Sequence, residues 1–166
     1  MATPNSMIDH RRNRQRGAAL IELALVLPLL IVLSVLVSEF GRAFFQYHTL
    51  TKGVRDAVRF LAVQDPAVAS TDPDVIATAR NLLVYGQPRP GPNATPVVPG
   101  LNLDQVPASN IAWTWSTSSP SYRIVSVHIT GHAFRPLWSS LFGLSLANAQ
   151  GEIPFGTIAA SMRAPE

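Results

Sequence analysis

Residues 18–37 hold one ionisable side chain, Glu22, in a run otherwise apolar but for Ser34 and interrupted in kind only by Pro28. Gly17 stands directly before the run, and Arg11, Arg12, Arg14 and Arg16 stand before the glycine. A charged group deep in a bilayer costs roughly 2–3 kcal/mol or more, so something must offset Glu22. Two kinds of chemistry suit these residue types at this spacing. A glycine carries no side chain, so its backbone enters a tight protease site easily. A carboxylate in an apolar run offers a counter-charge to a cation, and in a low dielectric that attraction is far stronger than in water. Glycine, carboxylate and basic flank together point to a processing site and an assembly contact rather than a plain anchor. Taken singly, Gly17 also suits a flexible hinge, and Glu22 a side chain that reaches back to the membrane surface.

The element that must position these residues is a membrane helix. The twenty residues 18–37, at 1.5 Å rise, span about 30 Å, the thickness of a bilayer's hydrocarbon core. Backbone polar groups in lipid must be paired internally, which predicts a helix. The four arginines before it predict a cytoplasmic N-terminus and an extracytoplasmic remainder. The run is too long for the apolar part of an ordinary cleaved signal, and no small-x-small site follows it. Pro28 has no N–H to offer the Ala24 carbonyl, so a kink or local melting is expected there.

The remaining composition narrows the function. The formal net charge is +3. That excess sits in residues 1–17, where the four arginines face only Asp9; the rest of the chain has nine basic and nine acidic residues. The basicity is therefore a topological signal, and nucleic-acid binding is not expected. There is no cysteine, which removes disulfides and thiolate chemistry. His128 and His132 are four apart, but on a strand they would stand about 13 Å apart, too far to share a metal. No phosphate-cradling loop, nucleophile elbow or HExxH motif is present. No cofactor and no catalytic constellation are expected, so the chain reads as a non-enzyme.

The run Arg16-Gly17-Ala18-Ala19-Leu20-Ile21-Glu22-Leu23-Ala24-Leu25-Val26-Leu27-Pro28-Leu29-Leu30, followed by Glu39-Phe40-Gly41-Arg42, resembles the TadE-like proteins. These are minor pilins or pseudopilins of the tight-adherence (Flp-type) pilus machinery. Residues 122–127, Phe134-Arg135-Pro136-Leu137 and Met162-Arg163 agree more loosely. The resemblance implies cleavage after Gly17 by a prepilin-type peptidase. Ala18 then becomes the new N-terminus and Glu22 the fifth mature residue. The freed amine of one subunit would meet Glu22 of a neighbour. The partners so implied are the membrane, the peptidase, and other pilins, pseudopilins and tight-adherence assembly proteins. The place implied is the cytoplasmic membrane, or a pilus drawn from it. The alternative from another class is an uncleaved, signal-anchored extracytoplasmic binding module.

The predicted fold is α+β and pilin-like: a long N-terminal helix, transmembrane then amphipathic, with a small antiparallel sheet packed on it. The predicted divisions are a basic cytoplasmic leader (1–17), a transmembrane helix (18–38), an amphipathic continuation (39–64) and a small α+β domain (65–166) with a proline-rich loop at 87–100. In the continuation, Phe40, Phe44, Tyr47, Leu50, Val54, Val58 and Leu61 form an apolar stripe expected to face the core, with Glu39 and Gln46 off it. Gly53 is expected to weaken the helix by about 1 kcal/mol relative to alanine. Asp65-Pro66 is expected to end it. A second helix is signalled over 72–85, with Thr71 or Asp72 as cap, Pro73 in its first turn and Gly86 at its end. Alternation predicts strands at 111–115, 122–130 and 157–162, with a turn at 118–121.

Overall fold

A computed structural model describes residues 6–116, 121–141 and 143–164, with the side chains of 6–16 and 141 excepted. Most of the predicted turn at 118–121 thus lies outside the described residues. The chain divides into two compact units, Met1–Gly41 and Arg42–Glu166. The architecture is α+β, a long N-terminal apolar helix followed by a small antiparallel sheet domain.

Helix α1 runs over Ser6–Ala62. It starts earlier than the predicted 18, because nothing in residues 6–17 breaks a helix and Gly17 costs only about 1 kcal/mol there. It stops short of 64. Asp65 turns out to cap the next helix, its carboxylate accepting from the Ala67 N–H at 2.9 Å. That short helix, α2 (Pro66–Ala69), had no periodic signal to announce it. In the first unit, α1 exposes apolar side chains on all sides: Leu20, Ile21, Leu25 and Val37 are each at least 65% exposed. A helix apolar all round suits lipid rather than water. The stretch Gly17–Ala62 is long and apolar enough to cross a membrane.

The second unit packs a three-stranded sheet and helix α3 (Pro73–Tyr85) on the last turns of α1. Asp72 caps α3, accepting from the Asp74 N–H at 2.9 Å. Gly86 ends it in the left-handed region, φ 67°, where a side chain would be strained. The sheet is antiparallel in the order β1-β2-β7, with β1 at Ile111–Trp115, β2 at Arg123–Ile129 and β7 at Ile158–Ala164. Its register sets Val127 between Ile111 and Ala160, and Ile129 opposite Ile158. Alternation puts Val125, Val127 and Ile129 on one face, and all three are buried. They meet Leu50, Val54, Ala57, Val58 and Leu61 of α1 and Ala79, Leu83 and Val84 of α3 in a single core.

Two strand pairs with only two residues in each strand were not foreseen: β3 (Ala133–Phe134) with β6 (Ile153–Pro154), and β4 (Ser140–Leu141) with β5 (Leu144–Ser145). Between α3 and β1, two short 3-10 turns carry the chain over Leu103–Gln105 and Ala108–Asn110. Arg80 of α3 holds the first, donating from Nε to the Val106 carbonyl at 2.6 Å and from Nη2 to the Leu103 carbonyl at 2.8 Å.

The apolar stripe of α1 needs correction. Leu50, Val54, Val58 and Leu61 are buried as expected, but Phe40, Phe44 and Tyr47 are 73%, 56% and 44% exposed. Glu39 and Gln46, placed off the stripe, are buried instead. The turn of a helix explains Gln46. At about 100° per residue it lies close to the azimuth of Leu50 and Ala57, whereas Phe44 and Tyr47 are rotated toward the rim. Periodicity locates an apolar face but not how much of it a neighbour covers.

Candidate functional site

Two groups of residues are candidates, one in each unit. The first is the amino-terminal set. Gly17 and Ala18 lie inside α1, so the bond between them is helical. A Cβ on Gly17 would meet nothing within 4 Å. Glu22 is exposed, and no hydrogen bond or ion pair joins it to another described residue. Arg11, Arg12, Arg14 and Arg16 precede Gly17 on the same helix. Helical structure continues through Pro28. The Ser34 hydroxyl donates to the Leu30 carbonyl at 2.8 Å, so this polar side chain is satisfied within its own helix.

The second is a polar cavity of about 430 Å³ in the sheet-containing unit. Arg42 and Gln46 of α1 form one wall, Gln105 and the Pro99–Gly100 turn another, and Arg135 and Glu152 a third. Arg135 donates from Nε to Glu152 Oε1 at 2.8 Å, and its Nη2 lies 2.6 Å from the same oxygen. The Arg42 guanidinium lies over the Phe134 ring, 5.3 Å from its centroid. Phe155 gathers the rings around it, with Tyr47, His132 and Phe134 at 6.0, 5.9 and 6.4 Å.

His132 sits beside this cavity, between two of its lining residues, Gly131 and Ala133. Its Nδ1 is 3.2 Å from Gln105 Oε1, and its Nε2 is buried without a partner among the described residues. Burial pulls the imidazole pKa below its ordinary value of 6.5, and the Glu152 carboxylate works weakly in the other direction. The backbone carbonyl of His128 accepts from Asn110 Nδ2 at 3.0 Å.

Sequence reasoning marked Glu39-Phe40-Gly41-Arg42 and Phe134-Arg135-Pro136-Leu137 as two separate stretches of the resemblance. It did not foresee that Arg42 would rest on Phe134 or that the two arginines would border one cavity. The signal available was that both stretches pair arginine with phenylalanine. The long separation between them hid the contact.

No curated protein and no solved structure matches the chain. Residues 17–59, a segment that begins at Gly17 and includes Glu22 and Arg42, match the family model described as TadE-like protein.

Proposed function

We propose that this chain is a minor pilin-like component of a tight-adherence pilus or secretion system, acting by assembly rather than by catalysis. The TadE-like segment supports a component associated with that pilus. One observation carries the reading: the family match begins at Gly17 and takes in Glu22 five positions later. In this reading the apolar run stores the subunit in the cytoplasmic membrane, N-terminus inside. A prepilin-type peptidase cuts after Gly17, removes the arginines and frees the Ala18 amine. The amine of one subunit then pairs with Glu22 of its neighbour as helices pack side by side, each charge offsetting the other's burial. Because α1 is helical across the scissile bond, the peptidase must unwind it locally. Glycine makes that unwinding about 1 kcal/mol easier than alanine would.

Intact mass of the membrane-extracted protein tests this. In a cell with the peptidase, the chain should begin at Ala18. Replacing Gly17 with a bulky residue should leave the precursor uncut. A wild-type chain that keeps residues 1–17 in a piliated cell overturns the proposal.

A further inference from the structure

The cavity between Arg42 and Arg135 has no part in processing or in helix packing, yet it has the features of a binding site. Both cations on its walls are arginines, whose forked donors suit phosphate oxygens. Arg135 commits Nε and Nη2 to Glu152, which leaves its other terminal nitrogen uncommitted among the described residues. Its side chain is 81% exposed, so that nitrogen is reachable from outside. Gln46, on the wall beside Arg42, is only 9% exposed, and no hydrogen bond joins its carboxamide to another described residue. The carboxamide itself keeps contact with solvent, so on the cavity wall it is open to a ligand's polar atoms.

The surroundings separate a lipid from a soluble anion. Arg42 is followed at two and three positions by Phe44 and Phe45, 56% and 71% exposed. Arg135 is followed at two and three positions by Leu137 and Trp138, 73% and 52% exposed. Cations with exposed aromatic and aliphatic neighbours are the composition of a membrane interface. The tether agrees. Arg42 lies five residues beyond Val37, the end of the apolar run. Five residues reach at most about 18 Å however the two units are arranged, so Arg42 cannot stand far from the headgroups of a bilayer that the run spans. The headgroup zone begins where the hydrocarbon ends and is roughly 5–7 Å deep.

From this we infer that the cavity binds the phosphodiester headgroup of an anionic phospholipid. Arg42 and Arg135 hold the phosphate oxygens and Gln46 donates from its amide. The inference is independent of cleavage at Gly17.

The test is native mass spectrometry of the full-length chain released from nanodiscs that contain phosphatidylglycerol and phosphatidylcholine. Wild type should retain one phosphatidylglycerol in preference to phosphatidylcholine. Arg135→Gln should reduce that retention about tenfold, the loss expected for one charge-assisted contact, and Arg135→Lys should restore part of it. Arg135 is largely exposed, so thermal unfolding of Arg135→Gln should match wild type, which separates lost binding from lost fold. Equal retention by wild type and Arg135→Gln overturns the site. Displacement of the lipid by an equal concentration of inorganic phosphate overturns the lipid assignment and makes a soluble phosphate the ligand.

Discussion

A Cβ placed on Gly53 of α1 would lie 3.0 Å from the carbonyl oxygen of Leu83 in α3. The two helices therefore approach closely at this point, and a side chain fits only if α3 gives way by a few tenths of an ångström. On propensity alone Gly53→Ala should stabilise α1 by about 1 kcal/mol. The contact reverses the sign, because a backbone oxygen cannot swing aside as a flexible side chain does. Gly53→Ala should lower the thermal unfolding midpoint of the sheet-containing unit, and an unchanged or higher midpoint would show that α3 yields without cost.

Arg80→Met should destabilise the same unit by about 1–3 kcal/mol, the cost of leaving the partly buried Val106 carbonyl without its donor, while the Leu103 carbonyl keeps the Val106 N–H at 3.2 Å. The methionine keeps most of the apolar stem of Arg80 and removes the two bonds to Val106 and Leu103. Urea unfolding measures the change. A value near zero would mean that water replaces the guanidinium at the Val106 carbonyl.

His132 makes stability depend on pH in a fixed direction. Its folded pKa lies below 6.5, so above about 6.5 the ring is neutral in both states and contributes nothing. As pH falls below that value the unfolded chain takes up a proton that the folded chain resists, and stability drops until the folded pKa is passed. His132→Gln should flatten the midpoint-against-pH curve on the acid side of 6.5. An identical curve for the variant would assign the acid sensitivity to other groups.

Glu22→Gln separates assembly from anchoring. Glutamine keeps the size and removes the charge. The variant should insert normally and still be cleaved, yet be lost from pili and from co-purified pilus components. If Glu22 merely reached back to the membrane surface, the change should be neutral or slightly favourable, because an amide is cheaper than a carboxylate in lipid. Normal piliation at normal membrane levels would refute the pairing with a neighbour's amine.

What could be read from the chain alone follows from how local each signal is. The apolar run, Gly17 and Glu22 declare themselves within a few positions. Asp72 and Gly86 bracket α3 because caps act on adjacent backbone. Alternation in 122–130 marks the buried face of β2. The signals that failed all depend on a partner far along the chain. Gly53 looked like a weakness until Leu83 stood opposite it. Phe44 and Tyr47 continued an apolar stripe that the domain does not fully cover. The pairs β3–β6 and β4–β5 are too short to alternate. Arg42 and Phe134 meet across most of the sheet-containing unit, and no spacing in the sequence reports that.

The place of β7 in the sheet has a consequence for the order of events in the cell. All seven of its residues pair with β2, and it supplies Ile158 to the core. During synthesis the apolar run of α1 emerges long before β7 exists. Until then Leu50, Val54 and Leu61 have emerged but lack part of the surface that buries them, and one edge of β2 stays open. Pairings so distant in sequence form slowly, and half-made sheets invite wrong partners. On the membrane-anchored topology proposed above, the chain is tethered before it is folded, and a holdase, or the membrane surface itself, has an interval in which to shield the face that the last strand will close.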